Sequence, residues 1–317
     1  MDASEHIHVA DLQRFARLAA PFLRGAAARG LGPRAATNRP GPGLEFLDLR
    51  DYQPGDDIRH IDWRQSARRQ RTMVRRFRDE AAADWFICVD GSASVKLDGD
   101  KWRMTAQLSA ALAYALLYAG HRVALLIFSE RVDGFLPLGR GAHQFSALLA
   151  LLLQQDNTRP GQAGGSALQT AFSWPWTKSG VQSAPPGGSK SNLGRCRDFL
   201  TQNSNVFVVS DFLEPDGMRP DLRSIRSAVS SASALQVLAS DEAQVPARGV
   251  TRIQDVESGR NRSFLVSDQA VERLRLNLAA HRNRLQKSCA ALGIGFASCD
   301  AGERWERVLL AHLKARG

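Results

Sequence analysis

Residues Phe86–Ser94 read FICVDGSAS. An apolar run stops at an aspartate, and glycine and two serines follow in the spacing Asp90-x-Ser92-x-Ser94. A short apolar run bounded by turn residues is the pattern of a strand buried on both faces. The stretch therefore predicts a buried strand that delivers a carboxylate at its end, and the residues downstream repeat the pattern. KWRMTAQLSAALAYALLYAG has the apolar stripe of a helix closed by Gly120, HRVALLIFS reads as a second strand and RVDGFLPLG as a third. HQFSALLALLLQQ reads as a helix, GGSALQTAFSW as the start of another, NVFVVSDFL as a strand, MRPDLRSIRSAVSSA as a helix and SALQVLAS as a strand. GVTRIQDVESGRNRSFLV predicts a strand pair turning at Ser258-Gly259. A long helix from Asp268 to about Leu292, a strand GIGFASC and a helix from about Glu303 complete the chain. Strands alternating with helices of this length predict an α/β fold, a Rossmann-like, mostly parallel sheet flanked by helices. Trp176 to Lys190, rich in Gly, Ser and Pro, reads as a flexible insertion at 176–190.

Upstream of the apolar strand the pattern changes. Asp11 to Arg29 carries apolar residues at helical spacing, Leu12, Phe15, Leu18 and Phe22, and Gly30, Gly32 and Pro33 end it. The stretch from Arg39 to Glu80 is dense in Gly, Pro and Asp, with short alternating segments at Glu45–Leu49 and Thr72–Phe77. Strands and turns are expected there, with a turn at Pro54-Gly55-Asp56-Asp57. The chain is thus expected to divide into 1–84, a helix plus a small β subdomain, and 85–317, the α/β domain.

Composition narrows the function classes. An apolar share of 44% over 317 residues suffices for a buried core. No uninterrupted apolar stretch on the order of eighteen residues occurs, and MDASEHIHVADLQRF lacks the basic start and apolar run of a signal peptide. A cytoplasmic protein without membrane insertion is expected. Cys88, Cys196, Cys289 and Cys299 lie far apart without a CxxC pair, so they are expected to be reduced thiols rather than a zinc knuckle or a disulfide framework. The net charge of +10 raises the question of nucleic acid, but the arginines are interleaved with aspartates, as in RDYQPGDDIRHIDWRQSARRQR, unlike a bare basic patch.

Ligands of open parallel sheets sit beyond the carboxyl ends of the strands. Asp90 stands at such an end, Asp211 in VFVVSDFLEP at another, and between them GQAGGSALQTAF offers Ser166 before a helix. Hydroxyls and carboxylates in one crevice are the oxygen donors that a hard divalent cation takes. The same residues have a second reading, because Asp or Ser ahead of a helix commonly caps it. The Arg/Asp block also has two. Asp56, Arg59 and Asp62 are expected to form salt bridges and turns that hold a Gly- and Pro-rich segment in shape, with Arg50, Asp57 and Arg68 in the same network or on a docking face. Arg68 to Arg78 reads as a solvated basic strand facing a partner.

Asp90-x-Ser92-x-Ser94, a hydroxyl residue in a Gly-rich loop and an aspartate after a later strand resemble the metal-ion-dependent adhesion site (MIDAS) of von Willebrand factor A domains. The upstream block, marked by Gly43, Glu45, Phe46, Arg50, Tyr52, Gly55, Asp56, Arg59, Ile61, Asp62, Trp63, Ala67 and Arg68, resembles the signature of the domain of unknown function 58 family. In that family the block precedes a von Willebrand A-like domain. The resemblance implies a von Willebrand A-type sheet with Asp90, Ser92, Ser94, Ser166 and Asp211 as ligands of Mg2+ or Mn2+. It also implies a protein partner, a MoxR-type AAA+ ATPase, which the protein would serve as an adaptor in assembling or activating other proteins. The sequence departs from the family at Ser166-Ala167, where threonine and aspartate are usual; the hydroxyl is kept and the acidic neighbour is not. No phosphate loop G-x-x-x-x-G-K-[ST], no H-E-x-x-H and no G-x-S-x-G elbow occurs, and His60, His121, His281 and His312 do not cluster with a nucleophile. A binding module rather than an enzyme is expected. The alternative is a nucleic-acid-associated factor or an enzyme using the Arg-rich block.

Overall fold

The computed structural model describes residues 9–30, 40–41, 45–54, 56, 58–78, 82–97, 99–156, 192–214, 218–239, 249–254 and 261–316. Its elements in chain order are helix α1 (Val9–Gly30), strands β1 (Pro40–Gly41) and β2 (Glu45–Asp51), helix α2 (Trp63–Arg69), β3 (Met73–Arg78), β4 (Asp84–Asp90), α3 (Ala93–Leu97), α4 (Gly99–Tyr118), β5 (Arg122–Phe128), β6 (Val132–Gly139) and α5 (Gly141–Asp156). They continue with β7 (Ser204–Ser210), α6 (Arg219–Ala228), β8 (Ser231–Leu238), β9 (Gly249–Gln254), β10 (Asn261–Val266), α7 (Asp268–Ala291), β11 (Gly295–Asp300) and α8 (Trp305–Arg316). Two compact units result, one of residues 1–26 with 83–317 and one of residues 27–82. Most of α1, through Ala26, falls in the larger unit and not with the β segment. Leu12, Phe15, Ala16, Ala19 and Leu23 are buried along one side of α1, and Phe15 meets Trp305 of α8 edge to face at 5.2 Å. Leu18, counted among the apolar face in the sequence, is 53% exposed, and the small Ala16 and Ala19 take its place.

In the larger unit six strands run in the order β11-β8-β7-β4-β5-β6. All neighbours are parallel except the β5–β6 pair. This is a mixed α/β, mostly parallel, Rossmann-like sheet with helices on both faces. Successive strands step outward from β4 through β5 to β6, and from β7 through β8 to β11. The chain therefore reverses direction across the sheet between β4 and β7, which is where such sheets open a crevice at their carboxyl ends. The strands alternate between two cores, as a period of two requires. Phe86, Cys88, Leu126, Val206 and Val208 pack with Leu222 and Ile225 of α6 and Leu285 and Cys289 of α7. On the other face α4 lies across β4, β5, β7 and β8. It is buried on most sides, the polar Lys101, Thr105 and Ser109 included. All four cysteines are buried free thiols. β9 and β10 pair separately, antiparallel, from Gly249↔Val266 to Gln254↔Asn261. The expected turn at Ser258-Gly259, the insertion at 176–190 and Ser166 lie outside the described residues.

The smaller unit holds the antiparallel sheet β1-β3-β2. Where only strands and turns were expected, Trp63–Arg69 forms a helix. Asp62 caps it, accepting the Gln65 N–H at 3.0 Å, and its other oxygen takes Arg75 Nε at 2.9 Å. Both bonds hold the Asp62 carboxyl below its ordinary pKa, the helix cap most of all. Arg50 pairs with Asp56 at 2.6 Å, and Asp56 also takes the Gln53 N–H at 2.8 Å. A turn at Gln53–Asp56 is closed by the Asp56 N–H on the Gln53 carbonyl at 3.0 Å. Asp56 and Asp62 thus serve as structural ties, while the Arg59 side chain lies outside the described residues. Arg68 and Arg69 are exposed on the last turn of the helix, not on a strand. Replacing Asp62 with alanine removes the cap and the Arg75 pair together. Amide hydrogen exchange at Gln65 and through Trp63–Arg69 is expected to quicken in Asp62→Ala and less in Asp62→Asn, which keeps a capping oxygen. Exchange in the alanine variant equal to that of the parent would refute the structural role.

Candidate metal centre

The reversal of strand order brings together Asp90, the last residue of β4, and Ser210, the last residue of β7, followed by Asp211. Asp90 is wholly buried and Asp211 is 3% exposed. One Asp90 oxygen accepts the Ser92 N–H at 2.9 Å, and the other accepts the Ser210 hydroxyl at 2.6 Å. The strand ends are thereby tied side chain to side chain. Gly91 turns the chain between them in a tight place. A β-carbon on it would meet Ile127 Cγ2 at 2.9 Å, a contact real side chains do not tolerate. Its N–H continues the parallel ladder onto the Phe128 carbonyl at 2.7 Å.

From Ser92 a chain of oxygens crosses the crevice. The Ser92 and Ser94 hydroxyls lie 3.1 Å apart, and Ser94 Oγ donates to Asp211 Oδ2 at 3.0 Å. Four of the five residues expected from the sequence, Asp90, Ser92, Ser94 and Asp211, are therefore gathered at one point. The Ser92 carbonyl also accepts the Lys96 N–H at 3.1 Å, the first backbone bond of α3. The donors are hydroxyl and carboxylate oxygens only, the set that suits magnesium or manganese in preference to softer ions. Among the described residues no cluster of three or more His, Cys, Asp or Glu side chains could hold a metal. Any ion held here relies on two carboxylates and on hydroxyls.

The Asp211 segment is set with unusual backbone. Phe212, fully buried, has φ +50°, a left-handed conformation that costs a bulky residue on the order of 1–3 kcal/mol. Three bonds hold it. The Phe212 N–H donates to Ser210 Oγ at 3.0 Å, His281 Nε2 lies 2.7 Å from the Phe212 carbonyl and, since a carbonyl only accepts, must carry the proton, and Gln236 Nε2 donates to the Asp211 carbonyl at 2.9 Å. The sequence identified neither Ser210 nor His281 as part of the site, and Gln236 likewise carries no motif.

Two lysines complete the electrostatics. Lys101, in the first turn of α4, donates to Asp211 Oδ2 at 3.0 Å, with 1% of the lysine side chain and 4% of the aspartate side chain exposed. Lys96 donates to Gln155 Oε1 at 2.7 Å and lies 5.8 Å from the centre of the Trp102 ring. Burial pushes the Lys96 ammonium toward losing its proton, and the charges of Asp133 and Asp90 oppose that. Neither lysine is marked by a motif, since a lysine at a helix end reads as a solvated residue. Asp90 moves the other way: burial first, and then the charge of Asp211, push its carboxyl up to about 6, against the opposing hydrogen bonds of Ser210 and Ser92.

The family model for the protein of unknown function DUF58 matches residues 48–286, three quarters of the chain. The chain belongs to the DUF58 family. A relative in sequence is the uncharacterized protein Rv1480 of Mycobacterium tuberculosis, 27% identical over 270 residues covering 84% of this chain and 77% of the relative. The uncharacterized protein YeaD of Bacillus subtilis is 26% identical over 101 residues, 32% of this chain and 24% of YeaD. Among solved structures, the conserved hypothetical protein BatB from Bacteroides thetaiotaomicron aligns over 74% of this chain and 98% of its own, with TM-score 0.41 and 12% identity. An aerotolerance-related membrane protein from Bacteroides fragilis aligns over 74% and 100%, with TM-score 0.38 and 13% identity. Among the described residues no helix is long and apolar enough to cross a membrane.

The raised Asp90 pKa has a sign that can be measured without metal. The folded carboxyl keeps its proton up to about 6, whereas the unfolded one releases it near pH ~3.9. Ionisation therefore favours the unfolded chain. The destabilisation is absent below about pH 4, grows between about 4 and 6, and is complete above. In EDTA, Asp90→Asn is expected to exceed the parent in stability at neutral pH by up to about 3 kcal/mol, with the gap closing toward pH ~4. Urea unfolding of both proteins across that range checks it; a gap that does not change with pH would show that Asp90 carries no such cost.

Proposed function

We propose that the larger unit is a von Willebrand A-like, divalent-metal-dependent protein-interaction module, with Mg2+ or Mn2+ as its ion. The observation that carries this reading is the continuous oxygen chain Ser92 Oγ, Ser94 Oγ, Asp211 Oδ2 at the end of two parallel strands, beside the buried Asp90. Asp90, Ser92, Ser94 and Asp211 would hold the ion, with Ser166 from the Gly-rich loop as the fifth ligand by resemblance. An ion so held, with a coordination position left open, supplies attraction for an acidic side chain of another protein, which is binding without catalysis.

The residues of the chain have separate parts in this. Gly91 permits the turn that aims Ser92 and Ser94, Ser210 fixes the Asp90 carboxylate, and the Ser210–Phe212–His281 bonds aim Asp211. The partner we propose, on the resemblance to the family, is a MoxR-type AAA+ ATPase, which this protein would serve as an adaptor in protein assembly or activation.

Calorimetric titration of Mg2+ or Mn2+ into the purified full chain is expected to show one site, abolished in Asp211→Ala. Capture of a MoxR-type ATPase is expected to be lost in EDTA and in Asp90→Ala. Capture that survives both treatments would exclude the metal-bridged contact, and no heat from the unmodified protein would exclude the metal.

A further inference from the structure

The oxygen that ends the Ser92–Ser94–Asp211 chain already carries a cation. Lys101 Nζ sits 3.0 Å from Asp211 Oδ2, the same atom that accepts from Ser94, and the pair is almost sealed from solvent. We propose that Lys101 is a tethered competitor for the metal: its ammonium fills the Asp211 end of the crevice in the metal-free protein, and a divalent ion enters only by displacing it. This inference rests on the metal reading of the site and specifies how that site is regulated.

Three observations carry it. The first is the shared atom: an ion bound to Asp211 Oδ2 would stand close to Nζ, and two like charges in a buried crevice repel strongly because little water screens them. The second is charge balance. Asp90 and Asp211 are buried beside two buried lysines, Lys101 and Lys96, which are 1% and 5% exposed. Lys101 at 3.0 Å from Asp211 therefore brings the chain's own cation into the crevice, sealed from solvent with the carboxylate it meets. The third is placement. Lys101 lies in the first turn of α4, the helix that crosses β4, β5, β7 and β8. Its backbone is therefore anchored while its long side chain has the reach to leave Asp211.

The test uses the full chain. Calorimetric titration of Mn2+ into Lys101→Gln is expected to give at least about tenfold tighter binding than into the parent, while Lys101→Arg, which keeps a fixed charge, gains nothing. A folded Lys101→Gln that binds Mn2+ as the parent does, or more weakly, overturns the competitor role and leaves the metal site standing. Absence of binding by parent and variant alike overturns the metal reading and this proposal with it. Should Lys101→Gln fail to fold, the unmodified protein decides. Its Lys101 ammonium signal in nuclear magnetic resonance, assigned by its loss in Lys101→Arg, is expected to shift on saturation with Mg2+, and a signal that stays in place while Mg2+ binds overturns the proposal.

Discussion

The architecture turns on one hydrogen bond, the Ser210 hydroxyl on the Asp90 carboxylate at 2.6 Å. It joins the ends of β4 and β7, the two strands between which the sheet changes its direction of growth. Side chains at that boundary must be polar if a crevice is to open there, yet β4 and β7 are otherwise buried along their length. A buried carboxylate without partners would be prohibitive. The bond from Ser210 and the Ser92 N–H supply both of its oxygens, and the Phe212 N–H in turn occupies Ser210. Each group that binds Asp90 is thus itself held, so the crevice is organised before any ligand arrives.

The same wiring explains why the site is charged in pairs. Burial first, and then repulsion from Asp211, push the Asp90 carboxyl up. The ammonium of Lys101 on Asp211 relieves that repulsion inside the fold. Buried ion pairs contribute little net stability against apolar replacements, and they are costly to break on one side only. Their retention here is better understood through the crevice than through the core. The pair holds the Asp211 carboxylate in place beside Ser94, which donates to the same oxygen.

What the sequence made legible follows from periodicity and from strand ends. The six strands of the sheet are apolar runs bounded by turn residues, and Asp90 and Asp211 are legible as site residues because each interrupts such a run at its carboxyl end. Helix α2 was hidden because Trp63–Arg69 has no apolar stripe; it is held by the Asp62 cap and the Arg75 pair. The only signal for it was an aspartate ahead of Trp-Arg-Gln. Lys101 and His281 were hidden for another reason. They lie far along the chain from the aspartate segment they serve, and only the packing of α4 and α7 against the sheet brings them to it. A lysine in KWRMTAQ and a histidine in LAAHRNRL carry no local mark of that role.

Phe212 shows how the two kinds of information meet. Its sequence context, SDFLEP, reads as the apolar tail of a strand, and the register of β7 with β8 ends one residue before Asp211. The chain then takes a left-handed step at a phenylalanine, a choice that propensity would assign to glycine or asparagine. With its side chain fully buried, Phe212 draws from the core a stabilisation of the same order as the backbone conformation costs. The step lets the Asp211 side chain meet Ser94 and Lys101 while its carbonyl takes Gln236 and the Phe212 carbonyl takes His281. A glycine there would make the same turn but leave it free to relax; the buried ring anchors the turn, and with it the carboxylate that both the serine motif and the lysine require.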